Sequence, residues 1–160
     1  QAFGAGINDI DMIPLFLEHF ELDFFLVAMP YTLLNQEPLE DIFPECERRG
    51  IGIIIGSPYA SGVLASGSKE ESKYGYATAS EEMRKKVRSI EVICEDYGIP
   101  LKAAALQFPL AHPQVSSVIP GSLSAAQVLD NIEMLKCLIP PELWIELKHT
   151  GLLHPEAPVK

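Results

Sequence analysis

The sequence lacks the features that mark disulfide-bonded, zinc-binding and nucleic-acid-binding proteins. Its 160 residues include three cysteines, Cys46, Cys94 and Cys137, which are widely spaced and form no CxxC pair. Neither a disulfide framework nor a metal site is therefore expected, and we interpret the three side chains as reduced thiols of a cytoplasmic protein. The 12 Lys and Arg stand against 22 Asp and Glu, and the net charge of −10 disfavours a nucleic-acid partner.

Long apolar runs are also absent. No run approaches the roughly 18 residues of a membrane span, and the first residues show no signal-peptide pattern, so we predict no membrane association. The composition, 48% hydrophobic and 21% charged, is that of a folded globular protein. The length suits one core, so residues 1–160 are expected to form a single domain, whereas a closed eight-stranded α/β barrel typically has about 250 residues.

Short apolar segments alternate with stretches of helical periodicity. The segment LDFFLVAM is almost entirely apolar, as expected for a parallel strand covered on both faces. Residues typical of helix ends flank the periodic stretches, namely Asp9 or Asp11, Pro38, Gly50, Ser80 and Ser124. The predicted strands are residues 2–5, 22–29, 51–55 and 115–119, and the later predicted helices include residues 81–97, 101–110 and 140–150. We therefore predict an α/β domain of about four parallel strands alternating with helices.

A strand that runs directly into a loop of Gly, Ser and Pro occurs twice, as GIIIGSPYASG at residues 52–62 and as VIPGSLS at residues 118–124. Small residues at the carboxyl end of a strand let a phosphate approach the backbone N–H groups, and a helix beginning just after adds its positive end. This pattern predicts a nucleotide cofactor. The same residues also suit tight turns in any α/β protein, and that alternative stays open.

The stretch of residues 57–79 has no apolar periodicity and is rich in Gly, Ser, Lys and Tyr. We predict one long loop there, either a lid over a bound cofactor or a disordered segment. No pair of carboxylates and no set of Ser, His and Asp is spaced for chemistry, so we assign no catalytic residue and no metal ligand. His112, which precedes Pro113, is interpreted as a turn residue.

Several motifs in order carry a family resemblance. The segments are AFGAGIND, LDFFLVAMPYTLL, RRGIGIIIGSPYASGVL, KAAALQFPLAHPQVSSVIPG and SLSAAQVLDNI, which lie between residues 2 and 132. In this order they resemble the carboxyl-terminal half of the aldo-keto reductase family, and within it the bacterial group of pyridoxal and aldose dehydrogenases. The resemblance implies half of a TIM barrel, with these strands as the fifth to eighth. The family's catalytic Asp, Tyr, Lys and His come from the second to fourth strands, which this sequence does not contain.

The resemblance also implies a nicotinamide cofactor and hydride transfer between it and a small-molecule carbonyl or alcohol, either a sugar or a pyridoxal-like compound. Asn8 matches the neighbourhood of the nicotinamide carboxamide. The loop over the pyrophosphate is matched by Ser57, Tyr59, Ser61, Gly62 and Leu64. The segment that holds the adenosine ribose and adenine is matched by Gly121, Ser122, Gln127 and Asn131. For Asn131, a structural role as a brace of its helix is an equal alternative.

Three positions depart from the better-known members of the family. Ala28 stands where a Gln contacts the carboxamide, and Gly56 stands where a Tyr stacks on the nicotinamide, so stacking would fall to Tyr59 or to Tyr31, which we interpret mainly as a rim residue. The Lys and Arg that bind the 2′-phosphate in NADP-specific members are replaced here by Gly121 and Gln127. A phosphate without cationic partners loses charge-assisted hydrogen bonds, so the sequence favours NAD over NADP.

Three hypotheses follow for the chain as a whole. It is the cofactor-holding part of an NAD-dependent enzyme, a half barrel that self-associates, or a binding module without chemistry. Because it begins on a predicted strand without an initiating Met, we expect a longer polypeptide and no dehydrogenase turnover by this part alone. Exposed edges at residues 2–5 and 115–119 invite pairing, so the expected partner is the missing amino-terminal half of the barrel or a second copy of the chain.

Overall fold

The computed structural model describes the helices and strands within residues 1–69, 71, 73–75 and 77–160. The strands are β1 (Gly4–Ile7), β2 (Phe24–Ala28), β3 (Gly52–Gly56), β4 (Lys73–Tyr74), β5 (Ala77–Thr78) and β6 (Val115–Ile119). The helices are α1 (Met12–His19), α2 (Ile42–Arg49), α3 (Val63–Ser66), α4 (Glu81–Asp96), α5 (Leu101–Gln107), α6 (Ala125–Lys136) and α7 (Pro141–His149).

Four strands form one sheet in the order β1, β2, β3 and β6, and every neighbouring pair is parallel. One helix lies between consecutive strands at the first two crossovers, and α3, α4 and α5 lie between β3 and β6. The predicted α/β architecture is therefore confirmed, with β1 and β6 at the edges. Within the part of the chain that the structure describes, no helix combines the length and the apolar character that crossing a bilayer requires.

Most of the predicted helix ends are found at or next to the observed ends. Ser80 caps α4 by accepting a hydrogen bond from the backbone N of Met83 at 3.1 Å. Gly50 follows α2 with a φ of 70°, a left-handed conformation that glycine adopts without a steric penalty. Asp11 precedes α1 without a side-chain cap, and Asp9 instead accepts from the backbone N of Asp11 at 3.1 Å.

The first strand lies two residues later than predicted, at Gly4–Ile7 rather than residues 2–5. Its position is set by pairing with β2, in which Gly4 lies opposite Phe24. A Cβ at Gly4 would be only 2.4 Å from the carbonyl oxygen of Phe24, so glycine allows the close approach of the two strands. Gly4 therefore serves the close packing of β1 against β2.

The two faces of the sheet differ in burial. Phe25 of β2 and Ile53 of β3 are both 0% exposed beneath the helices, whereas Leu26 and Ile54, which point the other way, are half-buried. The expectation that β2 is covered on both faces is therefore wrong for this chain. Helices cover one apolar face, and the opposite apolar face is only partly screened from water.

The prediction of one long loop at residues 57–79 is also wrong. It contains a 3-10 turn at Ala60–Gly62, helix α3 and the antiparallel hairpin of β4 and β5. Leu64 is 0% exposed and anchors α3 in the core, and Glu91 of α4 accepts from both the backbone N and the Oγ of Ser68, at 3.2 and 2.6 Å. Residues 70, 72 and 76 of the predicted loop lie outside the described residues.

Tyr31 is a core residue and not the rim residue that was predicted. It is 0% exposed and packs against Phe43, Phe108 and His112, with ring centroids 4.9, 5.0 and 5.6 Å away. Burial raises the pKa of its phenol well above the ordinary value. His112 follows a 3-10 turn, as predicted, and its Nδ1 accepts from the backbone N of Gln114 at 3.1 Å.

Candidate functional site

Two cavities adjoin at the carboxyl ends of the parallel strands. The Asn8 cavity, of about 490 Å³, is lined by Asn8, Ala28, Met29, Pro30, Asn35, Ser57, Ser61, Tyr74 and Gly75. The Gly121 cavity, of about 530 Å³, is lined by Ser57, Tyr59, Ser61, Gly62, Ala65, Ser66, Lys102, Gly121, Leu123, Gln127 and Asp130. Because Ser57 and Ser61 line both, the two cavities are neighbours, and we call the two together the groove, which reaches from Asn8 after β1 to α6. Parallel α/β folds bind their ligands at this edge.

The backbone at the middle of the groove is strained. Among the described residues, the non-glycine residues with positive φ are Met29 (79°), Ser57 (53°), Ala60 (48°) and Ser61 (59°), and all follow β2 or β3. The hydroxyl of Ser61 donates to Sδ of Met29 at 3.3 Å, which joins the two strained segments. Such conformations cost on the order of 1 to 3 kcal/mol each and are concentrated at ligand-binding and active sites. The strain therefore marks this edge of the sheet as the candidate functional site.

A hydrogen-bond network supports the wall of the Gly121 cavity. The phenol of Tyr59 donates to Oδ1 of Asn131 at 2.7 Å, and Nδ2 of Asn131 donates to Oγ of Ser122 at 3.0 Å. Burial, with a smaller contribution from the charge of Asp130, raises the pKa of Tyr59, so its phenol stays protonated as a donor. The network ties the loop after β3 to the loop after β6. It favours the interpretation of Asn131, which is 5% exposed, as a brace.

The start of α6 is closed by a reciprocal cap. Ser124 accepts from the backbone N of Gln127 at 3.3 Å, and Oε1 of Gln127 accepts from the backbone N of Leu123 at 2.6 Å. This arrangement resembles the capping box, in which two side chains satisfy N–H groups at a helix start. Gln127 lines the Gly121 cavity with its carbonyl oxygen already engaged.

Two glycines leave the backbone open beside the Gly121 cavity. A Cβ added at Gly62 or at Gly121 meets no heavy atom within 4 Å, so the space next to both is empty of protein. Gly62 also has a φ of 97°, which strongly favours glycine. A ligand can therefore contact the main chain at these two positions.

The Asn8 cavity has a different chemistry. Its lining residues, as far as the structure describes them, are uncharged and offer amide and hydroxyl groups from Asn8, Asn35, Ser57 and Ser61. Tyr74 of β4 supplies its aromatic side chain, whereas neither Tyr31 nor Tyr59 lines it. The sequence interpretation did not select Tyr74, and its only local signal is an aromatic residue within the polar stretch KYGYA.

A charged pair lines the Gly121 cavity and was also missed by the sequence interpretation. Nζ of Lys102 in α5 bonds to Oδ2 of Asp130 in α6 and lies 5.2 Å from the centroid of the Tyr59 ring. The Lys102 side chain is 18% exposed and that of Asp130 is 50% exposed. The available signal was a single cation within the otherwise apolar segment LKAAAL.

The structure brings most of the predicted cofactor residues together. Those that line the groove are Asn8, Ser57, Tyr59, Ser61, Gly62, Gly121 and Gln127. Leu64 is instead 0% exposed in the core. Ser122 and Asn131 stand behind the groove in the network with Tyr59.

Known proteins share this sequence pattern and fold. The model of the Aldo/keto reductase family matches residues 2–150. Pyridoxal 4-dehydrogenase of Microbacterium luteolum is 37% identical over 153 residues, which cover 96% of this chain and 45% of that protein. D-threo-aldose 1-dehydrogenase of a Pseudomonas species is 35% identical over 154 residues, which cover 96% of this chain and 47% of that protein.

A solved structure has the same fold. The holo form of aldo-keto reductase AKR11C1 from Bacillus halodurans superposes with a TM-score of 0.71 at 23% identity, covering 99% of this chain and 51% of that one. The chain thus spans about half the length of the relatives it matches, and its four-stranded parallel sheet is a partial barrel. The family match over residues 2–150, together with these relatives, shows that the chain belongs to the aldo/keto reductase family, which the two dehydrogenases named above share.

Proposed function

We propose that residues 1–160 form one domain, the dinucleotide-binding half of an NAD(P)-dependent oxidoreductase. The observation that carries this proposal is the groove made by the two adjoining cavities, which share Ser57 and Ser61. A dinucleotide is an extended ligand whose two ends differ in chemistry. The Asn8 cavity is uncharged and lined by amides, and the Gly121 cavity is lined by glycines. The two cavities therefore differ in chemistry, as the two ends of a dinucleotide do.

The donor set along the groove fits a nicotinamide dinucleotide. Asn8 offers an amide at the end where the carboxamide would bind, and the hydroxyls of Ser57 and Ser61 lie at the middle, where the diphosphate would pass. The bare backbone at Gly62 and Gly121 leaves room for the rest of the ligand. When bound, this cofactor accepts or supplies a hydride, and the residues of this chain hold and orient it.

NAD is the proposed cofactor, in preference to NADP. Neither Gly121 nor Gln127 offers a cation to a 2′-phosphate, and the carboxylate of Asp130 lines the same cavity. Lys102 is the one cation among the described lining residues, and it is already paired with Asp130. A phosphate dianion at this end would therefore meet a carboxylate and no unpaired cation.

The groups that transfer protons lie outside this chain in our proposal. The family's catalytic Asp, Tyr, Lys and His belong to strands for which this sequence has no counterpart. The substrate is a small carbonyl or alcohol, and the relatives named for pyridoxal and D-threo-aldose support a pyridoxal-like alcohol or a sugar.

The unpaired state of Cys46, Cys94 and Cys137 supports a cytoplasmic location.

The partner that completes the site is the remainder of a barrel. Apolar residues are exposed beside both edge strands and along and after α6: Phe3 before β1 (67%), Ile119 of β6 (50%), Leu129 of α6 (63%) and Leu138 after α6 (91%). Surfaces of this kind are normally covered. The twofold greater length of the relatives supports cover by an amino-terminal half, and a second copy of the chain is the alternative. Light scattering on the product of the complete reading frame distinguishes a closed monomer from a dimer of half barrels.

A binding measurement tests the proposed function directly. Fluorescence titration of the full-length protein with NADH should give saturable binding, and Gly121→Trp should weaken it by at least about tenfold because the indole fills open cavity space. Ile145→Trp is the matched control, since Ile145 is 63% exposed on α7 and lines neither cavity. Equal affinity in the Gly121 variant and the control would contradict a cofactor site in this groove.

Two further observations test the missing catalytic half. The reading frame upstream of Gln1 should encode an Asp, a Tyr, a Lys and a His at the family's spacing. The 160-residue chain alone should show no NAD-linked oxidation of sugars or pyridoxal-type alcohols. Measurable turnover by the isolated chain would show that its own residues suffice for the chemistry.

A further inference from the structure

The sheet face that points away from the helices is almost bare on two of its strands. We call it the inner face. In a parallel sheet, residues paired across neighbouring strands share a face, and Leu26 pairs with Ile54 on this half-buried side. The alternation along β1 and β3 then assigns to the inner face Gly4, Gly6, Gly52, Ile54 and Gly56. Ile54 is thus the one large residue among the inner positions of β1 and β3, and the others are glycine.

The surroundings of these glycines show the direction in which they are open. A Cβ at Gly4 would meet the Phe24 ring at 2.6 Å, and a Cβ at Gly56 would lie 3.5 Å from Cδ2 of Leu26. A Cβ at Gly6 would meet no heavy atom within 4 Å. Phe24 and Leu26 are themselves only half-buried. The inner face is therefore a surface of isolated large side chains separated by open glycine positions.

A closed barrel needs this space to be filled. In an eight-stranded α/β barrel the inward side chains of alternate strands meet in layers, and bulky residues pack these layers. Strands β1 and β3 are alternate strands, because β2 lies between them. Protein interiors are close-packed, so layers that receive glycine from β1 and β3 must take their side-chain volume from the other strands that share them.

A second copy of the chain cannot supply that volume. Joined through the free edges of β1 and β6, it would place its own β1 and β3 in the same layers. Glycine would then face glycine, and of the strand residues that the structure describes, each copy would bring only Ile54 as a large side chain to these layers. A barrel of two copies would enclose a void, and voids lower stability.

We propose that the inner face is the docking surface for the strands of an amino-terminal half that carry bulky apolar side chains at their inward positions. This inference rests on the proposed function, in which the remainder of a barrel completes the site, and it decides between the two partners left open there. The relatives are about twice as long as this chain, which leaves room for such a half. The two halves are then unlike, because large residues of one fill the glycine positions of the other.

Thermal melts of the full-length protein test this proposal at Gly52, which lines neither cavity of the groove. A Cβ there would lie 3.6 Å from its nearest neighbour, Oγ of Ser116, which is an ordinary contact, so Gly52→Ala should leave the melting temperature nearly unchanged. Gly52→Leu extends the side chain into the filled interior and should melt at least about 4 °C below Gly52→Ala. A leucine variant that melts at or above the alanine variant would show an unfilled interior, and the proposal would be overturned.

A suppressor search locates the clash and covers the case in which Gly52→Leu does not fold. Second-site substitutions throughout the complete reading frame are screened for restored soluble expression of the Gly52→Leu protein. Large-to-small substitutions at alternating strand positions upstream of Gln1 should restore it. Suppressors confined to residues 1–160, or none at all, would overturn the docking of bulky upstream side chains on the inner face.

The NADH titration described above keeps this inference apart from the proposed cofactor site. A full-length protein that binds no NADH would remove the cofactor site, whatever the melts at Gly52 show. Saturable NADH binding together with a tolerated Gly52→Leu would keep the cofactor site and remove only the division of large and small side chains between the two halves.

Discussion

The phenol of Tyr59 and the carboxamide of Asn131 are joined by a 2.7 Å hydrogen bond across 72 positions of sequence. Tyr59 follows β3, and Asn131 lies in α6 after the edge strand β6. Both residues are buried, at 7% and 5% exposure. The bond therefore couples the loop after β3 to helix α6, both of which border the Gly121 cavity, and the shape of that cavity depends on it.

Removing this phenol should destabilise the protein. Tyr59→Phe leaves Oδ1 of Asn131 buried without its donor, so we expect the free energy of unfolding to fall by about 1 to 3 kcal/mol. Urea unfolding followed by circular dichroism measures the change. Tyr97→Phe is the matched control, because the Tyr97 phenol bonds to Glu146 at 2.8 Å in a more exposed position and should lose less. Equal losses in both variants would show that burial does not increase the contribution of the Tyr59–Asn131 hydrogen bond to stability.

The two glycines of β1 should differ sharply in their tolerance of a methyl group. Gly4→Ala would place a Cβ 2.4 Å from the carbonyl oxygen of Phe24, whereas a Cβ at Gly6 meets nothing within 4 Å. We expect Gly4→Ala to cost about 1 to 3 kcal/mol of unfolding free energy, as for other overpacked sites, and Gly6→Ala to be nearly neutral. Thermal melts of the two variants side by side test this. A neutral Gly4→Ala would mean that β1 and β2 approach less closely than described.

Cofactor preference should follow the cations placed at the Gly121 cavity. Gly121→Lys combined with Gln127→Arg should shift the ratio of NADPH to NADH affinity toward NADPH by about tenfold or more, since each charge-assisted bond is worth roughly 1.5 to 3 kcal/mol. Ser89→Lys with Ile145→Arg adds the same net charge away from the groove and serves as the control. A ratio that does not move would remove our interpretation of Gly121 and Gln127.

The cysteines should differ in reactivity. Burial, followed by the charges of Glu91 and Glu95, raises the pKa of Cys94 to about 12, and burial with Glu45 raises that of Cys46 to about 11. At pH 8 only about one Cys94 in ten thousand is then a thiolate, the reactive form. Brief alkylation at pH 8 with peptide mass spectrometry should label Cys137, which is half-buried, well before the other two. Early labelling of Cys94 would contradict its burial.

Local signals predicted the elements whose ends are set by neighbouring residues. The strand at Val115–Ile119 has the predicted bounds, and α4 and α6 begin directly after the predicted caps Ser80 and Ser124. The prediction for residues 57–79 failed because contacts with distant parts of the sequence hold that stretch in its structure. Leu64 docks in the core and Ser68 bonds to Glu91, and neither contact leaves a periodic pattern in the sequence.

In the candidate site too, local signals predicted some residues, and only the packing of distant segments brought in the others. Residues in strand-to-loop motifs, such as Ser57 and Gly121, were predicted and do line the groove. Lys102 and Asp130 were not predicted, because each looks like an ordinary helix residue in the sequence. Only the packing of α5 against α6 brings them together. Leu64 matched the family position but faces the core.

The sequence by itself determined the parallel α/β architecture and the family, since apolar segments, end residues and ordered motifs act through near neighbours along the chain. Only the tertiary structure decided that one sheet face stays half-covered, that Tyr31 belongs to the core, and that Tyr59 meets Asn131. These features depend on which surfaces pack across long separations of sequence. Burial and hydrogen-bond partners are properties of that packing, and no local pattern specifies them.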